Sequence, residues 1–198
     1  MTQQYLWILD NGHAPETAGK RSPKLPDGCR LLEWEFARDV VDRIAAQLDG
    51  LGIAYHVLTP RTNHDMKPSA RCALANLVAS KSNLKSRGIS VHANAFGNGR
   101  TFNDSHGVTV LYYPRSRVGK KMALDLQVQL VKHSGLRDRR LIERTNVTIL
   151  KQTSMPFVLS ECGFYTNQDE AELLMSGKGR QMFADAHVAF IKQVEAAR

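Results

Sequence analysis

The first apolar run, Tyr5 to Leu9, stops at Asp10-Asn11-Gly12, a turn signal, so a short buried strand followed by a loop is expected. Pro15, Gly19, Pro23, Pro26 and Gly28 keep residues 14–30 irregular. Leu32, Phe36, Val40, Ile44 and Leu48 then recur at every fourth position, which is one face of an amphipathic helix ending near Gly50. Ile53 to Leu58 reads as a strand. Ser69 to Ser80 reads as a helix with Ser69 as its N-cap, and Ile89 to Ala93 as a third strand. A Gly- and Asn-rich loop covers 97–107. The β-branched and aromatic content of Val108 to Tyr113 predicts a strand, and Gly119 to His133 a helix. Val147 to Leu150 and Phe157 to Ser160 read as two more short strands. The chain closes with helices at Asp169 to Met175 and Gly179 to Ala197.

Strands alternate with helices throughout, so the fold class is α/β, with a sheet covered on both faces. No internal repeat, low-complexity tract or linker interrupts the 198 residues. They are read as one domain, 1–198. At 42% hydrophobic and 23% charged residues, the chain buries a core without staples and is not disordered. Its apolar runs are far shorter than the ~20 residues of a membrane-spanning helix. The apolar run before Asp10 is only five residues long, with no basic residue ahead of it, too short for a signal-peptide core. Synthesis in the cytoplasm without a signal peptide is therefore expected. Cys29, Cys72 and Cys162 are odd in number and lack a CxxC spacing, which predicts buried free thiols.

Ligand sites of open α/β sheets gather at the carboxyl ends of the strands. Asp10-Asn11-Gly12-His13 follows the first strand. Ser90-Val91-His92-Ala93-Asn94-Ala95 ends the third, and Ser160-Glu161-Cys162-Gly163 ends the last. Glu33 opens the first helix, carried back toward the same edge by the proline-rich loop. Two imidazoles and one carboxylate suit Zn²⁺ with an open fourth position, and a spare carboxylate suits proton transfer in amide hydrolysis. The spacings of 20 residues (His13 to Glu33) and 59 (Glu33 to His92) match no short metal motif. Each residue also has an ordinary reading. A strand-end histidine often serves only as a hydrogen-bonding loop residue, and Glu33 suits the positive end of a helix. His56, His64, His106, His133 and His187 take the ordinary reading. Glu161 resists it, because Pro156-Phe157-Val158-Leu159-Ser160 reads as buried on both faces and a carboxylate there needs a partner or a task.

Four stretches together resemble the zinc-dependent N-acetylmuramoyl-L-alanine amidases of the Amidase_3 family, known from bacteria and phage endolysins. They are Ile8-Leu9-Asp10-Asn11-Gly12-His13, Leu32-Glu33-Trp34-Glu35-Phe36, Ser90-Val91-His92-Ala93-Asn94-Ala95 and Pro156-Phe157-Val158-Leu159-Ser160-Glu161-Cys162-Gly163-Phe164, continuing to Asn167 and Glu170. The resemblance implies a three-layer domain with a mixed, mostly parallel sheet of about six strands flanked by helices. It implies His13, Glu33 and His92 as ligands of one Zn²⁺, and Glu161 as catalytic acid and base. The bond implied is the amide between the lactyl group of N-acetylmuramic acid and L-alanine. Gly12-His13-Ala14 stands where the family commonly has Gly-His-Gly, and Gly19-Lys20-Arg21-Ser22-Pro23 is similar to its phage and prophage branch. Glu33 and Glu35 lie two positions apart on a helix and point in different directions, so only one can be the ligand; Glu33 is the choice made here.

Charge adds a further expectation. Lys and Arg total 27 against 19 Asp and Glu, a formal net charge of +8. Between Arg115 and Arg144 nine basic residues face three acids. Such a face attracts polyanions, here peptidoglycan carboxylates and anionic wall or outer-membrane polymers. No recognition-helix, RNP-like or zinc-finger pattern supports nucleic acid as a partner. A monomeric catalytic domain without a separate wall-binding domain is expected, acting on the cell wall after release as a lysin does. Two rivals remain: a zinc peptidase acting on stem peptides, and a non-catalytic peptidoglycan- or polyanion-binding domain.

Overall fold

The computed structural model describes residues 3–59 and 63–197. In chain order the elements are β1 (Tyr5–Asp10), α1 (Glu33–Leu51), β2 (Tyr55–Val57), α2 (Pro68–Ser80), β3 (Lys85–Asn94), β4 (Val108–Tyr112), α3 (Arg117–Ser134), β5 (Asp138–Glu143), α4 (Thr148–Gln152), β6 (Phe157–Phe164), α5 (Gln168–Met175) and α6 (Gly177–Ala196). The strands form one sheet in the order β2-β1-β3-β6-β4-β5. β4 runs antiparallel to β6, and every other pairing is parallel. The α/β class is the one expected from the alternation of elements, and the mixed, mostly parallel six-stranded sheet is the one the family resemblance implies.

Side-chain alternation sorts the two faces of the sheet. Trp7, Leu9, Ile89, Val91, Val158 and Cys162 pack into the core shared with α1, α3 and α6. Ile8, Leu111, Phe157 and Leu159 pack against α2 and α4. By the same two-residue period, Asp10, Ser90, His92 and Glu161 fall on the α2/α4 face. Register places Asp10 beside Ser90 and His92 beside Glu161. Helix ends are closed locally: Ser116, Asn167 and Ser176 accept backbone N–H groups at the starts of α3, α5 and α6. Gly52 and Gly135 end α1 and α3 in the left-handed conformation.

Several boundaries differ from the expected ones, for identifiable reasons. Val147-Thr148-Ile149-Leu150 looks like a strand because of its β-branched run, but it forms the start of α4. Its two buried residues, Ile149 and Leu150, are adjacent, whereas a half-buried strand would alternate. The sixth strand is instead β5, Asp138-Arg139-Arg140-Leu141-Ile142-Glu143, at the sheet edge. Edge strands carry charge rather than an apolar stripe, so its pattern is hidden from sequence. α2 begins at Pro68 with Lys67 in the N-cap position and no side-chain cap, so Ser69 lies inside the helix. β6 continues past Ser160 to Phe164, which puts Glu161 within the strand and not after it. Cys72 and Cys162 are buried thiols, but Cys29 is exposed, set in the proline-rich loop where its N–H donates to Asp27 Oδ1 at 2.8 Å.

Candidate metal centre

β1 ends on Asp10, and the next residues bend sharply. Gly12 and His13 both have positive φ, 46° and 50°. That conformation is uncommon for a residue with a side chain, and here it turns His13 back over the sheet edge. Position 12 has a second constraint, because any Cβ there would collide with the imidazole of His92. The rings of His13 and His92 meet edge to face, 5.1 Å between centroids.

Glu33 reaches the same point by a return of the proline-rich loop. Its N–H donates to the Lys20 carbonyl at 3.0 Å, Arg21 bridges Leu32 in antiparallel fashion, and the Ser22 N–H donates to the Leu31 carbonyl at 2.9 Å. α1 therefore starts against the sheet edge, with Glu33 at the head of the stripe continued by Phe36, Ala37, Val40, Ile44 and Leu48. Glu35 points elsewhere: it is exposed and pairs with Arg180 at 3.2 Å.

The Glu33 carboxylate is sealed from solvent, its side chain 2% exposed. Oε1 lies 2.9 Å from His92 Nδ1 and 3.4 Å from His13 Nε2, and accepts the Ala93 N–H at 3.3 Å. Burial alone would raise its pKa. The hydrogen bonds and charge of His13 and His92 outweigh burial and hold the group well below the usual carboxylate range. One ligand atom from each of His13, Glu33 and His92 lies within 4.8 Å of the others. A tetrahedral ion with ligand bonds of ~2.0–2.1 Å has ligand–ligand edges of about 3.3 Å. The two edges that meet at Glu33 Oε1, 2.9 and 3.4 Å, bracket that value. The His₂Glu donor set and the spacing therefore fit Zn²⁺. The imidazoles, 14% and 13% exposed, leave one side of the triad open.

Behind His92 runs a buried polar chain. The Arg71 guanidinium of α2 contacts both oxygens of Asp10 at 3.0 Å, and the Ser90 hydroxyl donates to Asp10 Oδ2 at 2.5 Å. With its hydrogen committed to Asp10, the Ser90 oxygen is left to accept from His92 Nε2, 3.0 Å away. That keeps a ring proton on Nε2, so Nδ1, which donates to Glu33 Oε1 at 2.9 Å, is the nitrogen that would give up its proton to hold an ion. Sequence reading passed over Arg71, Asp10 and Ser90 as functional residues. A usable signal was the Ser90/His92 spacing, since residues two apart share a strand face. His13 has a looser neighbour: its Nδ1 is 3.8 Å from Asp65, which accepts from the Thr17 hydroxyl at 2.6 Å.

Glu161 stands one strand over from His92. It is partly exposed, but Oε2 is buried and, among the described residues, has no hydrogen-bond partner. Burial first, then the negative charge of Glu33, push its pKa up to about 8, while Lys20 and Arg144 pull the other way. The four residues singled out in the sequence thus meet at one edge of the sheet. On the far face, the expected ordinary histidine His187 is buried, hydrogen-bonded to Ser160 at 2.9 Å, and pushed by burial down to about 4.

Known proteins are similar to this chain in sequence and fold. Residues 8–193 match the family model Amidase_3, described as N-acetylmuramoyl-L-alanine amidase. The endolysin of Bacillus phage SPP1 is 30% identical over 189 residues, 96% of this chain and 65% of that protein. The N-acetylmuramoyl-L-alanine amidase CwlM of Mycobacterium tuberculosis is 29% identical over 167 residues, 83% of this chain and 39% of that protein. The chain thus spans less than two thirds of either relative. The crystal structure of N-acetylmuramoyl-L-alanine amidase from Clostridium difficile 630 superposes with a TM-score of 0.84 at 22% identity, covering 100% of both chains, and shows the same fold. From the match over residues 8–193, the chain belongs to the Amidase_3 family of N-acetylmuramoyl-L-alanine amidases.

Proposed function

We propose that this domain hydrolyses the amide between N-acetylmuramic acid and L-alanine in peptidoglycan, as a Zn²⁺-dependent enzyme with a lysin's role. The carrying observation is the convergence of His13, Glu33 and His92 with Glu161 on the neighbouring strand. His13, Glu33 and His92 would hold the ion. When bound, Zn²⁺ supplies Lewis acidity to a carbonyl oxygen and to a water. Glu161 takes the water's proton and passes it to the departing L-alanine nitrogen. A pKa near 8 in the metal-free protein is suited to this, because a cation beside Glu33 would offset part of the charge that raises it and favour the carboxylate form that a general base needs. Pairing of β3 with β6 sets His92 beside Glu161 within a mostly buried pair of strands, so little reorganisation is needed.

Arg137, Arg139, Arg140 and Arg144 are exposed along and beside β5 and, among the described residues, enter no ion pair. They supply a basic face for anionic wall polymers, peptidoglycan carboxylates first. No helix of the described residues is long and apolar enough to cross a membrane. We place the site of action at the cell wall, with the protein working as a monomer.

Mass spectrometry of soluble products from defined peptidoglycan, with Zn²⁺ and with EDTA, tests the reading. Zinc-dependent release of stem peptides with free L-alanine termini and intact glycan is the expected result. New amines inside the stem peptide would mean a peptidase, and binding without release by the zinc-loaded protein would mean a wall-binding module. A separate prediction concerns the support of His92. Ser90→Ala is expected to weaken Zn²⁺ binding about 10–100-fold, read by competition with a chelator, because the ring loses the acceptor that fixes its proton. Unchanged affinity would mean that Ser90 does not orient the ring.

A further inference from the structure

Lys20 lies in the Gly19-Lys20-Arg21-Ser22-Pro23 segment and has no part in the chemistry described above. Its backbone is fixed at the head of α1, since its carbonyl accepts the Glu33 N–H at 3.0 Å and Arg21 bridges Leu32. Its ammonium lies 3.9 Å from Glu33 Oε2, the carboxylate oxygen that has no hydrogen-bond partner among the described residues. At that distance the pair is ionic without a hydrogen bond. Among the described residues, no hydrogen bond engages any of the three ammonium N–H groups. Glu33 is 2% exposed and Lys20 43%, so the cation stands on the solvent side of the buried carboxylate. It also lines a groove of about 290 Å³ with Thr17, Leu32 and Trp34. Its charge reaches Glu161, where it opposes that of Glu33.

A lysine held by its backbone beside the triad, with its donors uncommitted and its tip open, is placed for substrate. A half-exposed ion pair contributes little to stability, so pairing with Glu33 does not account for the arrangement. We propose that Lys20 is a catalytic residue whose ammonium donates a hydrogen bond to the scissile carbonyl oxygen as that oxygen gains negative charge. The proposal rests on the amidase reading. In the reaction a water oxygen bonds to the carbonyl carbon, and the carbonyl π pair moves onto the oxygen facing Lys20. Glu161 receives the water's proton. The C–N bond then breaks with its pair going to nitrogen, the carbonyl re-forms, and nitrogen takes the proton from Glu161. Products are the lactyl carboxylic acid and the free amine of L-alanine, and Lys20 keeps its protons throughout. Donors placed at a developing oxyanion act mainly on the transition state, so their loss lowers kcat more than it raises KM.

The test compares zinc-loaded wild type, Lys20→Met and Lys20→Arg on a soluble N-acetylmuramoyl-L-alanyl peptide, with Zn²⁺ affinity measured separately by chelator competition. Lys20→Met is expected to lose about 10²–10³-fold in kcat with KM within about threefold. Lys20→Arg should recover at least about tenfold of that loss, since it keeps a cationic donor. Zn²⁺ affinity of Lys20→Met should equal or exceed that of wild type, because a positive neighbour that repels the ion and competes for Glu33 is gone. If Lys20→Met keeps wild-type kcat, or if its loss tracks a weakened Zn²⁺ affinity, Lys20 is a brace for Glu33 and the proposal fails while the amidase reading stands. A zinc-holding wild type that releases no L-alanine peptide overturns both.

Discussion

Replacing Glu161 by glutamine is expected to lower turnover about 10²–10⁴-fold while the protein still binds Zn²⁺. The amide keeps the size and polarity of the side chain but can neither accept the water's proton nor return it. The triad is spared because Glu161 donates no ligand atom to it: the converging group is His13, Glu33 and His92. Activity within about tenfold of wild type would remove Glu161 from the proton path. The same variant carries a stability signature with a definite sign. In the metal-free protein the folded-state pKa is about 8 against an ordinary 4.5, so the unfolded chain loses this proton first. The favourable contribution is therefore complete below about pH 4.5 and is lost as pH rises through 8. Glu161→Gln has nothing to ionise. After EDTA treatment it should be more stable than wild type at pH 9, by on the order of a few kcal/mol, and the difference should shrink toward pH 5. A pH-independent difference between the two would mean that the buried oxygen of Glu161 is solvated in solution.

What sequence shows and hides here follows from where each residue gets its constraints. The stripe from Phe36 to Leu48, the apolar run of β1 and the alternation of Ile89, Val91 and Ala93 in β3 are local patterns imposed by core packing, so they are visible along the chain. β5 has no core face to imprint such a pattern: its residues are charged and mostly exposed, and its pairing with β4 is a tertiary fact. α4 misleads for the opposite reason, because intrinsic β preference in Val147-Thr148-Ile149 yields to packing against α2. The candidate site divides in the same way. His13, His92 and Glu161 sit at or near strand ends, where a general rule of open sheets points to them. Glu33 is harder, since its position depends on a return path through Lys20, Arg21 and Ser22 that no periodicity announces. Arg71, 61 residues from Asp10, becomes relevant only when α2 packs across β1.

Glu33→Gln is expected to weaken Zn²⁺ binding more than about 100-fold, beyond the range of a supporting residue, and to take activity with it. Glu35→Gln should change neither. Their separation is a matter of helix geometry: at 100° per residue, positions two apart lie on nearly opposite sides. Glu33 heads the buried stripe of α1 and touches both imidazoles. Glu35 is exposed against Arg180, which also holds Asp39 at 2.9 Å, so losing Glu35 costs within about 0.5 kcal/mol. The Glu33 substitution removes the only negative charge among the three converging groups, and with it much of the attraction for a dication. It should act at a distance too. The Glu33 charge is one of the two causes that raise the pKa of Glu161, so Glu161 in Glu33→Gln should titrate below 8 in the metal-free protein, measurable by NMR of the carboxyl carbon. Loss of Zn²⁺ binding in Glu35→Gln with retention in Glu33→Gln would reverse the assignment. A drop in zinc affinity with no movement of the Glu161 pKa would show that solvent screens the two carboxylates from each other.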